Sequence, residues 1–252
     1  MPDVDETQMV QSTSQQKIVV TMSANTVTSL NASGAAVVLF KAVSNSDAAT
    51  RPLLWARFST ISPQMTFTVG SQTNFFTSIQ QTIAEGKVID IGAQAVGQAG
   101  QIYNILENSG GGGNVKSGGS AGAFSFDNQT GVQMTCGLMQ EINGTAEPYC
   151  AVPLYGKAFE SFVACDQVLL GVSSAALDVG SYVSKLTQTP ASIASTSFYK
   201  SFAITSNLLM VTLDAASPRA ISYDVNSGWD FDNNTWARMV PATTQLKDVL
   251  VV

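Results

Sequence analysis

Histidine is absent from this sequence, and with it go the commonest general base, the commonest metal ligand and the Ser-His-Asp and Cys-His pairings. Charge is scarce as well. Asp, Glu, Lys and Arg make up 12% of the chain, against about 25% in an average soluble domain, so Ser, Thr, Asn, Gln and Gly must cover the surface. Such a surface lacks the repulsion that keeps copies apart, which makes self-association easier than usual. Basic clusters are missing too: 12 Lys and Arg are scattered among 18 Asp and Glu. A phosphate backbone needs clustered cations to displace its counterions, so nucleic acid is not an expected partner.

Long apolar runs are also lacking. A membrane-spanning helix needs roughly 18–20 residues, and the best stretch, residues 35–40, is far too short. Met1 to Gln8 has neither the basic start nor the apolar run of a secretory signal. The expectation is a cytoplasmic protein as synthesised, with release left open, or else a mature form. Cysteine is limited to Cys136, Cys150 and Cys165; an odd number in a chain of this length argues for reduced, buried thiols. Cys136 and Cys150 flank a hairpin that turns at Asn143-Gly144. A two-residue turn would set Cys150 opposite Gly137, whereas an odd-numbered loop would bring the two thiols face to face.

What is present reads as β-structure. Residues 17–22, 35–43, 65–69 and 87–91 carry the β-branched content or alternation of strands, the third bounded by Pro63 and Gly70. Residues 23–30 suit a short helix or a loop. From Ala123 the signal strengthens: Phe124 and Phe126, residues 132–140, 149–155, 168–173, 198–204 and 208–213, and Ile221, Tyr223 and Val225 on one face of a late strand. Turn residues separate several of these at the spacing of sandwiches and barrels. The fold class expected is therefore mainly β, an antiparallel sandwich-like domain over residues 17–252 with at most short helices. Residues 1–16 read as a flexible arm. The Gly110 to Gly113 run reads as a mobile loop, with a subdivision of the domain near 108–122 as an option, because four glycines carry a large backbone entropy.

Candidate chemistry is thin. Two carboxyl groups facing across a cleft would suit glycoside hydrolysis, and Glu141 with Glu147, or Asp230 with Asp232, are the pairs available. Hairpin mouths and turns commonly carry solvated acids, so no enzyme is expected. Asp224, Asp230, Asp232, Asn233 and Asn234 offer oxygen ligands of the kind calcium takes, but their spacing is that of turn formers and no metal is expected. Gly113 to Gly118 only superficially follows a phosphate loop, since Val115 stands where a glycine must precede Lys116; no cofactor is expected.

Tyr223, Trp229, Phe231 and Trp236 lie among Asp230 and Asp232 on a turn-rich segment. Flat rings beside carboxylates suit sugars or a lipid headgroup zone; the competing reading is that the rings cap the core of the last hairpin. Three stretches carry no charge at all: residues 59–84, 91–106 and 186–199. Neutral Ser/Thr-rich segments suit a hairpin that enters a membrane on oligomerisation. They equally suit faces that pack together in a filament, shell or crystal. The function expected is a non-enzymatic, homo-oligomeric β-protein acting on membranes or glycans, of pore-forming or lectin-like type; the alternative is a self-assembling structural protein. No motif is specific enough to assign a family.

Overall fold

Alternating apolar residues write most of this chain as strand, and the computed structural model, which describes residues 15–186 and 207–252, is mainly β. The first half contains β1 (Gln16–Met22), α1 (Ala24–Ala32), β2 (Ala36–Ser44), β3 (Arg51–Pro52), β4 (Ala56–Phe58), β5 (Gln64–Ser78), β6 (Ala93–Gly97), β7 (Gln101–Ile105) and β8 (Gly113–Ser117). The second contains β9 (Phe124–Asn128), β10 (Met134–Ile142), β11 (Thr145–Leu154), β12 (Phe159–Ser173), β13 (Leu208–Thr212), β14 (Arg219–Asp224), β15 (Gly228–Asp230), β16 (Ala237–Val240) and α2 (Lys247–Leu250).

The strands form two eight-stranded sheets. One runs β15-β14-β1-β5-β10-β11-β3 with β6 added beside β5; the other runs β16-β13-β12-β9-β7-β8 with β2 beside β12 and β4 beside β2. Their inner faces share one large apolar cluster, which draws Ile18, Phe67 and Leu138 from the first sheet and Leu39, Phe126 and Leu170 from the second. The pairing is not purely antiparallel as expected. β1 lies parallel to β14 and β7 parallel to β9. Parallel neighbours need long connections, and β14 returns to β1 only after nearly all the other strands have been laid down.

Two long strands organise the sheets, and each slips once against its neighbour. β5 continues through Gly70, where the sequence suggested an end. Between Gln140 and Ile142 of β10 the partner on β5 moves from Thr73 to Val69, so β5 carries two residues more than the ladder needs. A slip of two preserves the inward phase of Met65, Phe67, Val69, Thr73 and Phe75. Beyond Asn74 alternation vanishes because both faces are covered: Phe75 enters the main core, while Phe76 packs with Leu53, Ile89, Met139 and Ala151. Glycine stands at position 70 because a Cβ there would lie 2.8 Å from that of Glu141. β12 behaves alike, its partner on β2 moving from Val43 to Lys41 while β12 advances from Ala164 to Val168.

Each slip leaves a half-buried carbonyl that takes a side-chain donor. Gln140 Nε2 donates to the Gly70 carbonyl at 2.6 Å, and Lys41 Nζ donates to the Cys165 carbonyl at 2.6 Å. Lys41 belongs to a strand otherwise buried on both faces and is only 1% exposed. Its ammonium lies 5.9 Å from the rings of both Trp55 and Tyr149, which supply the negative π faces that a buried cation can use. Burial outweighs that help and the attraction of Asp166, and pulls the ammonium pKa down to about 8.

Elsewhere the sequence reading needs correction at one place and gains detail at another. The glycine run is a loop, and it forms the turn of the hairpin between β7 and β8. The Leu106 and Glu107 amides donate to the Gly112 carbonyl, and the Thr77 hydroxyl donates to the Gly110 carbonyl at 2.6 Å. Gly113 already pairs with Ile105, and a Cβ on it would meet the Asn104 carbonyl at 2.6 Å, so close strand approach selects glycine here. Residues 87–91 form no strand; only isolated bridges, such as Val88 to Ser181, hold them. The short helix over 23–30 is present as α1, capped by the Ser23 hydroxyl, which accepts from the Thr26 amide. The strand expected at 198–204 and most of the arm expected at 1–16 lie outside the described residues, although Gln16 already pairs with Val69 in β1.

Lys41→Met tests the buried cation. The unfolded chain keeps its lysine protonated up to about pH 10.5, so between pH 8 and 9 the unfolded state holds more protons and this site favours folding as pH rises. Buried thiols pull the other way from about pH 9, so the difference between wild type and variant is the readout. That difference should move by about 1 kcal/mol towards the wild type between pH 8 and pH 9 in urea titrations. At pH 7 the variant should lie within about 1 kcal/mol of wild type, because relief of the buried charge offsets a carbonyl left without its donor. An unchanged difference across that range would rule out a neutralising Lys41.

Candidate functional site

The last hairpin gathers the residues that the sequence nominated. Asn226, Ser227 and Gly228 turn the chain, with Gly228 at φ 83°, and the register sets Tyr223 opposite Trp229 and Ser222 opposite Asp230. Alternation then divides the hairpin by face. Tyr223 and Trp229 turn inward, 2% and 4% exposed, with their rings edge-on at 4.7 Å. Phe231 and Trp236 are half-buried against the same core, and the Arg219 guanidinium covers the Trp236 ring at 5.0 Å. Only Asp230 and Asp232 are exposed. The aromatic platform expected for a sugar or headgroup is therefore core packing in the case of Tyr223 and Trp229, because inward register at two adjacent strands outweighs the turn-rich look of the segment.

The outer face of the same hairpin is a cleft of about 390 Å³. Thr21, Ser222 and Asp230 sit side by side across β1, β14 and β15, and Ser23, Asp224 and Ser227 close its rim. Asp224 accepts from the Asn226 amide at 2.9 Å and from the Thr26 hydroxyl at 2.8 Å, and these bonds hold its carboxyl below the usual range. Hydroxyls that donate and accept, beside carboxylates that only accept, suit a ligand rich in hydroxyl groups. The lining contains no cation, which disfavours phosphate.

The other nominated chemistry is dispersed. Glu141 pairs with Ala146, and Glu147 with Gln140; successive residues face opposite sides of a sheet, so the two acids diverge and cannot share a substrate. Asp230 accepts from the Asp232 amide at 3.0 Å, a turn-forming bond, and Asp232 and Asn233 adopt positive φ. Among the described residues no group of three or more His, Cys, Asp or Glu side chains converges. Gly113 to Ser117 is strand β8, with no helix following it to present amides to a phosphate. Cys136 and Cys150 are buried free thiols. The turn is the two-residue one, Ile142 facing Thr145, but a bulge near Tyr149 moves Cys150 opposite Leu138 and Cys136 opposite Val152. Burial raises both thiols, Cys150 to about 12.

Two features escaped the sequence. Ile79, Leu106, Tyr155 and Phe159 are 49–67% exposed, although nothing in their local pattern marks them as surface residues. The topology collects them at one end: Thr77 binds the glycine turn that follows Leu106, Ser78 faces Thr135 at the start of β10, and Leu154 faces Met134. The neutral stretch 59–84 has a structural cause. β5 is paired along both sides, by β1 and β6 and by β10, so it is the centre of a sheet rather than a peripheral hairpin.

No family model matches the chain, and neither the curated proteins nor the solved structures include one similar to it.

The Tyr223 hydroxyl and the Trp229 indole N–H are buried without partners among the described residues. Tyr223→Phe should therefore leave stability unchanged or raise it by up to about 1 kcal/mol, whereas Trp229→Ala should cost about 3–5 kcal/mol. Urea unfolding reads both. A large loss in Tyr223→Phe would mean that the hydroxyl has a bound partner in solution.

Proposed function

We propose that this protein works without catalysis, as an oligomer that attaches to lipid membranes or to glycan-covered surfaces. The observation that supports it best is the group of exposed apolar side chains, Ile79, Leu106, Tyr155 and Phe159, that the topology brings towards one end, among Glu107, Asp127 and Lys157, on a molecule otherwise poor in ions. Exposed aromatic and aliphatic side chains on turns suit the boundary between headgroups and acyl chains, where Tyr keeps its hydroxyl wet. Scarcity of charge lowers the desolvation cost of approach. The hydroxyl-lined cleft beside Asp224 and Asp230 lies at the opposite end of β5, since Met22 neighbours the Gln64 end of that strand and Ile79 follows its other end. A glycan held there leaves the apolar end free.

A second reading, assembly into filaments, shells or crystals, draws on the sheet edges. Among the described residues β8 pairs only with β7, and its single charge is Lys116; a short, nearly neutral edge is weakly protected against pairing with another copy.

Flotation with phosphatidylcholine vesicles tests the first reading. Wild-type chain should partition to the vesicles, and Tyr155→Ser with Phe159→Ser should weaken that at least about ten-fold, given the transfer energy of two rings. Absence of binding to vesicles and to a glycan array alike would remove it. Sedimentation without lipid tests the second reading, since polymer should then form with rising concentration.

A further inference from the structure

The turn between β10 and β11 holds the single asparagine of this chain that precedes a glycine, Asn143-Gly144. Both residues take positive φ, 49° and 87°, and residues 143–146 are exposed. Asn143 latches the tip of the hairpin to β5 with two bonds. Its amide donates to the Thr68 carbonyl at 2.8 Å, and its side-chain Oδ1 accepts from the Thr68 amide at 2.7 Å. The side chain thus stands in for a backbone carbonyl and carries the ladder one residue past the Ile142–Val69 pair, just beyond the slip.

The same bond changes the chemistry of the side chain. An N–H aimed at a carbonyl oxygen stabilises the negative charge that grows there when the carbon is attacked. Among the described residues Asn143 makes no other side-chain bond, which leaves Nδ2, the group that would depart, without an acceptor. The Gly144 amide likewise donates to nothing among them, and the chain itself holds that nitrogen within reach of Asn143 Cγ. Around Gly144 a Cβ would meet no atom within 4 Å, so the turn has room for a ring to close. Asn31 and Asn226 differ, since each uses Nδ2 as a donor, to the Ile61 carbonyl and to Asp224, and each precedes a residue with a Cβ.

We propose that Asn143-Gly144 is a self-modification site, at which the folded chain converts Asn143 to aspartate and isoaspartate and the isoaspartate form unlatches the hairpin tip from β5. The Gly144 nitrogen gives its proton to hydroxide and bonds to Asn143 Cγ; the Cγ–Nδ2 bond breaks, and ammonia leaves with a proton from water. Water then opens the cyclic imide at either carbonyl. Opening at Cγ restores the backbone as aspartate, whose carboxylate still accepts from the Thr68 amide. Opening at the main-chain carbonyl leaves the backbone running through Cγ, one carbon longer, and a two-residue turn fixes its register too tightly to absorb that atom. Asn143 also lines a cleft of about 300 Å³ with Arg57 and Glu147, so either product adds a carboxylate to that lining.

Peptide mapping of the full chain stored under native conditions tests the site, with isoaspartyl methyltransferase labelling to separate the two products. Asn143 should convert before any other asparagine, and faster as pH rises. Asn143→Gln should abolish the labelling, because its ring closure is slower; should that variant fail to fold, the wild-type map decides. Hydrogen exchange at the Thr68 amide should quicken in the labelled fraction and stay slow in Asn143→Asp, which keeps the acceptor. An Asn143 amide that survives in the folded chain while it converts in urea would show that the latch protects the site, and would overturn the proposal. Unchanged Thr68 exchange in the isoaspartate fraction would overturn the unlatching.

Discussion

Two buried side chains, Lys41 and Gln140, donate to backbone carbonyls that the long strands leave unpaired, and the slips that those bonds accommodate set the register of both sheets. β5 and β12 each slip by two residues against one neighbour. A slip takes a carbonyl out of its ladder, and at half-buried Gly70 and Cys165 a side-chain donor replaces the lost partner. Gln140 serves the slip in β5 and Lys41 the slip in β12. Trp55 joins the two: its indole N–H donates to the Gln140 carbonyl at 3.0 Å, and its ring faces the Lys41 ammonium and meets Tyr149 edge-on. The centre of the core is thus a polar device wrapped in rings, and Lys41 is the buried cation within it.

That arrangement has consequences at the surface. The slips let β5 serve β1 and β6 in turn on one side, and let β12 serve β9 and β13. Strands of different sequence origin are thereby brought to common ends. Apolar turns collect beyond Ser78, the hydroxyl-lined cleft forms beyond Met22, and the Arg57–Glu147 cleft opens where the β10–β11 hairpin stands over β4. Each is a different kind of surface, formed by residues from strands far apart in the chain.

Strand positions were legible in the residues wherever one face of a strand meets the core and the other meets water. Met65, Phe67 and Val69 show this, as do Ile221, Tyr223 and Val225. Legibility failed where that premise failed. Past Asn74 both faces of β5 are covered, so the pattern that marks a strand disappears although the strand goes on. The glycines at 110–113 looked entropically loose, yet the backbone of β7 and the Thr77 hydroxyl fix them. Trp229 allowed either a surface ring or a core cap in the sequence, and its pairing with Tyr223 and its burial decide for the core. Lys41 carried a signal that went unread: one cation inside an otherwise apolar strand needs an acceptor and usually an aromatic companion.

By itself the sequence determined the class of the fold and the poverty of ionic chemistry, because periodicity and composition are local properties that survive in any arrangement of the strands. The missing histidine, the scarcity of charge and a hairpin turning at Asn143-Gly144 are of this kind. Tertiary structure alone decided which acids diverge, which rings are buried and where the apolar turns meet. Those outcomes depend on register and on slips of two residues, and register is set by contacts between segments far apart in the chain, which no local pattern encodes.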